Sequence, residues 1–294
     1  MPIKLHPGTV LRTQMDQSVV AAPGAFNALV ARAVAQTGFQ ACYVSGGAAS
    51  VAAGVPDVGI LTLDHFKQVI REVALGSGLP VIADADTGFG EEEMVRRTVL
   101  EYNHAGAAGL HLEDQVFPKR CGHLDGKALI PVDQAVSKLQ WAAKASQDCS
   151  DGEFIICART DAKGVEGFDA AVTRAKAYVK AGASMIFPEG LSTEQEFADF
   201  ANAMNELGDQ RPYLLANMTE FGKTPMIGLD AFGEMGYSIV IYPVSTLRIA
   251  MGAITRALTE LKETGTLEGQ LPNMQTRKEL YELIEYTPGT PWEM

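Results

Sequence analysis

Short apolar runs recur along the chain, and between them the apolar positions fall at helical spacing. Eight runs read as buried strands: Ser18–Ala22, Ala41–Ser45, Val81–Asp84, Gly109–Glu113, Phe154–Arg159, Met185–Pro188, Tyr213–Ala216 and Ile239–Ile241. None alternates clearly between apolar and polar, as expected of parallel strands covered on both faces. Helical periodicity fills the gaps over Asn27–Gln36, Thr62–Leu75, Glu91–Ala105, Pro131–Ser146, Phe168–Ala181, Thr193–Leu207, Leu229–Met235 and Val244–Lys262. Four strands follow a glycine stop, in Thr37-Gly38-Phe39, Ala105-Gly106-Ala107, Ala181-Gly182-Ala183 and Met235-Gly236-Tyr237. Glycine takes the left-handed conformation after a helix at no steric cost. Eight such units with right-handed crossovers predict a closed (β/α)₈ TIM-type barrel over about residues 18–262. An open doubly wound sheet is the alternative and would leave two long edges. A further helix, Asn273 to about Ile284, falls in a C-terminal extension over 263–294, and residues 1–294 are expected to form one domain. The tail Thr287-Pro288-Gly289-Thr290-Pro291 cannot be helical and is expected to be mobile.

Composition narrows the function. The 294 residues are 47% hydrophobic, enough for a large core, and the net charge of -12 argues against non-specific nucleic-acid binding. No apolar run approaches the ~18 residues of a membrane span, and Met1-Pro2-Ile3-Lys4-Leu5 shows no signal peptide, so a cytoplasmic protein is expected. Cys42, Cys121, Cys149 and Cys157 lack zinc-site spacing and are expected to be reduced thiols.

Candidate chemistry collects where a barrel places it, at the C-terminal ends of the strands. The third strand ends in Asp84-Ala85-Asp86, the fourth in Glu113, and Asp57 lies in the loop after the second. Residues i and i+2 of a strand point the same way, so Asp84 and Asp86 could face one cation; the plainer reading makes Asp86 a cap for the helix at Glu91. A carboxylate set without paired cysteines or histidines favours Mg²⁺ or Mn²⁺ over zinc. Ser45-Gly46-Gly47 offers backbone amides to an anion, or is an ordinary tight turn. Arg159, with Asp161 beyond it, and Arg248 add positive charge suited to a di- or tricarboxylic acid. Glu189 ends the sixth strand, and Asn217 and Thr219 follow the seventh. His65, His104 and His111 need no functional role; His111, inside a strand, reads as a satisfied core residue. No lysine stands at a strand end, which disfavours imine chemistry.

Lys119-Arg120-Cys121-Gly122-His123 sets one thiol among three potential cations. Positive neighbours draw a thiol below its ordinary pKa of ~8.5 and suit it to act as nucleophile or general acid. An unremarkable basic loop is the plainer reading of the pentapeptide alone.

These stretches together resemble the isocitrate lyase/phosphoenolpyruvate mutase superfamily over about Ser18 to Tyr286. The resemblance rests on Tyr43–Gly47, Asp84–Gly90, Gly109–Gln115, Lys119–His123, Ala158–Asp161, Phe187–Glu189, Ala216–Glu220 and Met274–Arg277. The Lys-Arg-Cys-Gly-His segment is similar to that of the carbon–carbon lyase branch. The resemblance implies a barrel whose C-terminal helices are exchanged between subunits, usually in a homotetramer. It implies Mg²⁺, with Asp84 a direct ligand and Asp57, Asp86 and Glu113 acting largely through water. It implies substrate contacts from Ser45, Gly46, Gly47, Cys121, Gly122, Arg159, Glu189, Asn217, Met218, Thr219, Arg248 and Arg277. The expected reaction is cleavage of (2R,3S)-2-methylisocitrate to pyruvate and succinate, in propionate breakdown through the methylcitrate cycle. Tyr43 is the expected base and Cys121 the general acid, tuned by Lys119, Arg120 and His123, with Arg159 and Glu189 holding carboxylates. Cleavage of dimethylmalate or isocitrate, hydrolysis of oxaloacetate, and a barrel that only binds a carboxylic acid remain the rival readings. The short Pro-rich tail and Ile241, where the branch often has another aliphatic residue, depart from the pattern and leave the exact acid open.

Overall fold

The computed structural model describes residues 5–120, 126–222 and 224–292. Eight parallel strands alternate with helices. They are β1 (Val20–Pro23), β2 (Cys42–Val44), β3 (Val81–Asp84), β4 (Gly109–Glu113), β5 (Ile155–Thr160), β6 (Met185–Pro188), β7 (Tyr213–Asn217) and β8 (Ile239–Tyr242). Hydrogen bonding runs β1-β8-β7-β6-β5-β4-β3-β2, every pair parallel. A bridge between Gly24 and Tyr43, with Ala25 N–H donating to Tyr43 O at 2.9 Å, joins β1 to β2 and closes the ring. The expected TIM-type barrel is therefore present.

The outer ring comprises α2 (Ala28–Gln36), α4 (Leu63–Ser77), α5 (Glu92–His104), α6 (Val132–Ser150), α7 (Phe168–Lys180), α8 (Glu194–Asn205), α9 (Leu229–Glu234) and α10 (Ser245–Thr264). Gly38, Gly106, Gly182 and Gly236 all have positive φ, between 91° and 106°, so the four expected stops share one geometry. Two cores result. One lies between strands and helices and includes Phe66, Ile70, Val99, Tyr102, Phe197 and Phe200. The other fills the barrel with Ile82, Ile155, Met185, Phe187, Leu215, Ile239 and Ile241.

Two helices were not expected. α1 (Pro7–Gln17), whose His6 cap accepts from Gly8 N–H, contributes Leu11 and Met15 to the inner core. It lies across the N-terminal ends of the strands: Arg12 donates to Glu153 O and Gly152 O, and a Cβ on Gly8 would strike Glu153 O and Ala108 O. Full burial of a side chain such as Leu11 contributes about 1.5–3 kcal/mol. The second is α3 (Gly46–Ala52), where Ser45 is the N-cap and its Oγ accepts from Ala48 N–H at 3.2 Å. Ser45–Gly47 is thus a helix start rather than a free-standing turn.

At the C-terminus, α11 (Arg277–Leu283) starts at a Thr276/Glu279 capping box. It starts later than expected, because the 3₁₀ turn over 268–273 leads into an extended Met274 and the cap stands at Thr276. Gln36 on α2 donates to Glu282 O and Leu283 O, each at 3.2 Å, so α11 docks outside the barrel. The tail folds back, Trp292 Nε1 donating to Ile284 O at 3.0 Å. Among the described residues, no helix is long and apolar enough to cross a membrane. Cys42, Cys149 and Cys157 are free thiols.

Candidate active site

The strand ends surround a cavity of about 270 Å³. Tyr43, Ser45, Gly47, Asp57, Asp84, Arg159, Glu189, Asn217, Thr219 and Arg248 line it, as expected from the sequence. Phe187, Glu220, Phe221 and Ile241 line it too.

The acidic side is built on β3. Asp84 is 3% exposed; Gly46 N–H donates to Oδ2 at 3.0 Å and Asp86 N–H to Oδ1 at 2.9 Å. Burial alone would raise its pKa, but positive charge at His111, Lys119 and Arg159 outweighs that and holds it at about 2. Burial lowers His111 itself to about 4, so at neutral pH the lysine and arginine supply that charge. Asp86 does not cap the next helix, whose N-cap is Glu91. It turns inward with φ 45°, and burial beside Asp84 raises its pKa to about 6.

Lys119 occupies the space between these carboxylates. Its Nζ lies 2.5 Å from Asp57 Oδ1 and 2.8 Å from Asp86 Oδ1, the latter an ion-pair distance off the line of a hydrogen bond. Burial opposes its charge, and Asp84, Glu113, Asp86 and Asp57 more than offset that, so it stays protonated. The ammonium expected to tune the neighbouring thiol is therefore engaged in the acidic pocket. A loop lysine also puts an ammonium among strand-end carboxylates, although the strands themselves carry no lysine.

The opposite side is built on β5. Asp161 holds Arg159, Nε donating to Oδ2 at 3.0 Å and one terminal nitrogen to Oδ1 at 3.2 Å. The other terminal nitrogen lies 3.2 Å from Glu113 Oε2, and the guanidinium stacks 5.3 Å from the Phe187 ring centre. Glu189 Oε2 accepts from Asn217 Nδ2 at 3.2 Å and lies 3.9 Å from Arg159. Arg248 reaches Glu220 Oε2 at 3.1 Å and packs over the Phe221 ring, which is 96% exposed at the rim. At the floor, Tyr43 Oη and His111 Nε2 are 2.6 Å apart, and His111 Nδ1 is 3.7 Å from Asp84 Oδ1. His111 is in the core as expected, but directly beneath the site.

Several expected residues stand elsewhere. Met218 is fully buried in the strand–helix core, its sulfur accepting from Ile227 N–H at 3.2 Å, and does not line the cavity. Adjacent residues of an extended chain point to opposite sides, so Asn217 faces in and Met218 out. Arg277 is exposed on α11, outside the barrel, and does not line the cavity of its own chain. Glu113 sits behind the cavity against Arg159, and Gly46 reaches it only through Asp84. Cys121, Gly122 and His123 lie outside the described residues.

The phosphoenolpyruvate phosphomutase family model matches residues 11–262. The chain belongs to this family. It is 52% identical over 264 residues to a probable 2-methylisocitrate lyase 1 of Corynebacterium glutamicum, covering 90% of this chain and 84% of that protein. It is 47% identical to a 2-methylisocitrate lyase of Aeropyrum pernix over 282 residues, 96% of this chain and 88% of that one. Among solved structures of the family fold, oxaloacetate acetylhydrolase with 3,3-difluorooxalacetate superposes with a TM-score of 0.88 at 32% identity, covering 94% and 92% of the two chains. 2,3-Dimethylmalate lyase gives 0.86 at 34% identity over 95% and 92%. Phosphonopyruvate hydrolase complexed with oxalate and Mg²⁺ gives 0.83 at 28% identity over 95% of each chain.

Proposed function

We propose that the protein is a Mg²⁺-dependent carbon–carbon lyase cleaving (2R,3S)-2-methylisocitrate to pyruvate and succinate, in cytoplasmic propionate breakdown. The observation that carries this reading is the 52% identity to a probable 2-methylisocitrate lyase across 90% of the chain. The cavity supports it: an ionised carboxylate faces an arginine across a space sized for a small polycarboxylic acid.

The donor set fits a hydrated hard cation. Among the described residues no three His, Cys, Asp or Glu side chains converge to hold a bare ion. Asp84 is ionised, while Asp86 Oδ1 and both Glu113 oxygens are buried acceptors without an aligned hydrogen-bond donor among the described residues. Mg²⁺ keeps several waters and needs only one or two direct carboxylates. Asp84 would hold it directly, and Asp57, Asp86 and Glu113 would accept from its water; Mn²⁺ suits the same oxygens. When bound, the cation polarises the substrate hydroxyl and adjacent carboxylate and lowers the hydroxyl pKa.

The chain's own residues carry the remaining steps. Arg159 binds a substrate carboxylate, and Glu189 orients Asn217 beside it. The Ser45–Gly47 helix start, Thr219 and Arg248 hold the rest of the acid. With the His111 proton on Nδ1 facing Asp84, Nε2 accepts from Tyr43; Tyr43 takes the substrate hydroxyl proton as it passes its own to His111. The carbon–carbon bond breaks, its electron pair staying on the succinate fragment as an enediolate. Cys121 protonates that carbon, with Gly122 and His123 beside it in sequence. In a single chain, α10 leaves Ile249, Ile254, Leu258 and Leu261 exposed, which supports a homotetramer with exchanged C-terminal helices.

The test is pyruvate release from 2-methylisocitrate with and without Mg²⁺, with isocitrate, dimethylmalate and oxaloacetate in parallel. Mg²⁺-dependent turnover fastest on 2-methylisocitrate is expected. Faster turnover of another acid would overturn the substrate, and no turnover of any would leave a binding protein.

Gly46 gives a narrower prediction. A Cβ there would lie 2.6 Å from Asp84 Oδ2, so Gly46→Ala must displace that carboxylate. Misplacing a reacting group by an ångström costs up to ~10²-fold. A fall in kcat/KM of about ten- to a hundredfold, with a raised Mg²⁺ half-saturation, is expected from steady-state titration; an unchanged Mg²⁺ curve would count against Asp84 as ligand.

A further inference from the structure

Arg159 faces the cavity, but what holds it extends behind the barrel. Asp161, fully buried, accepts from Arg159 at both carboxylate oxygens. Asp161 Oδ1 also accepts from Lys127 Nζ at 2.8 Å, and that lysine side chain is 5% exposed. The aspartate backbone is fixed separately: Asp161 N–H donates to Asp114 Oδ1 at 2.9 Å, and the Thr160 hydroxyl to Asp114 Oδ2 at 2.7 Å. Tyr178 donates to the same Oδ2 at 2.8 Å.

Lys127 arrives from outside the strand framework. It follows directly on Gly126 and precedes an antiparallel bridge between Gln115 and Leu129, where Val116 N–H donates to Ala128 O at 2.8 Å. The segment beginning at Gln115 therefore delivers two buried ammonium groups to opposite sides of the site. Lys119 meets Asp57 and Asp86, and Lys127 meets Asp161.

Charge arithmetic gives Lys127 a role beyond packing. Arg159 has three carboxylates near it, Glu113 at 3.2 Å, Asp161 at 3.0 Å and Glu189 at 3.9 Å. A guanidinium so surrounded attracts a substrate carboxylate weakly, because its field is already neutralised. A second cation on Asp161 offsets one of those charges and frees Arg159 to bind an incoming anion. A buried ion pair also fixes geometry, and loss of one partner leaves an uncompensated charge.

We infer that Lys127 is a positioning residue that, through Asp161, sets both the orientation and the effective charge of Arg159 toward the substrate carboxylate. This rests on the proposed reading of Arg159 as a carboxylate-binding group.

The test compares Lys127→Met, Lys127→Gln and Lys127→Arg in the full-length Mg²⁺-loaded protein. Succinate binding is read by calorimetry and 2-methylisocitrate turnover by pyruvate release. Met and Gln should raise the succinate Kd and the substrate KM together, by about tenfold, corresponding to ~1.4 kcal/mol. Their kcat and Mg²⁺ half-saturation should stay within about threefold of the parent, and Arg should restore both affinities. Gln keeps a hydrogen-bond donor and similar bulk, so it serves if Met fails to fold by circular dichroism. Wild-type succinate affinity in a folded Met or Gln variant would overturn the inference, as would a fall in kcat at unchanged KM and Kd. A parent protein that binds succinate but cleaves no 2-methylisocitrate would refute the substrate while the succinate comparison still decides on Lys127. A parent that does neither overturns both.

Discussion

Asp84→Ala is expected to abolish Mg²⁺ stimulation and to lower kcat/KM by about 10³-fold or more, since the Lewis-acid contribution is worth several kcal/mol and each ~1.4 kcal/mol is tenfold. The size follows from what Asp84 organises. Its two oxygens accept from Gly46 N–H and Asp86 N–H, tying the start of α3 to the turn after β3. Positive charge around it keeps it ionised despite burial. Alanine removes the anion but leaves Lys119 and Arg159 in place, so the pocket becomes more positive and repels a cation. A Mg²⁺ titration of pyruvate release checks this, and a variant still stimulated by Mg²⁺ at the parental half-saturation would remove Asp84 from the metal site. Asp84→Asn keeps the shape and loses the charge; a loss equally severe there assigns the effect to charge rather than to packing.

Cys121→Ser should lower kcat by about 10²–10⁴-fold, the usual range for a lost general acid, while succinate affinity stays within about threefold. A serine hydroxyl occupies nearly the same space but is a far weaker acid than a thiol of ordinary pKa ~8.5. The enediolate would then wait for a proton from water. Single-turnover kinetics should show the slow step after carbon–carbon cleavage, with pyruvate formed before succinate. Normal steady-state turnover by the serine variant would sink the assignment.

The barrel was legible because buried parallel strands leave a recurring trace: short apolar runs at regular intervals, four of them ended by a polar residue and four preceded by a glycine helix stop. The strand-end carboxylates Asp84 and Glu113, and Arg159, could be found by the same repeat. α1 could not, because it buries little beyond Leu11 and Met15 and is otherwise polar. α3 was hidden by Gly46-Gly47, poor helix formers that a serine cap and burial hold in place. The resemblance implies a substrate contact from Met218, but alternation past Asn217 turns its side chain into the strand–helix core. Lys119 and Lys127 left no periodic signal, for a loop side chain can span several ångströms in directions that spacing does not encode. Arg277 belongs to an extension whose docking the barrel repeat does not determine.

The helix laid across the strand starts makes the barrel a vessel with a sealed base. Leu11 and Met15 close the end opposite the active face, so traffic through the described structure runs by one mouth. Two products made in such a vessel must leave in sequence, whichever lies nearer the rim going first.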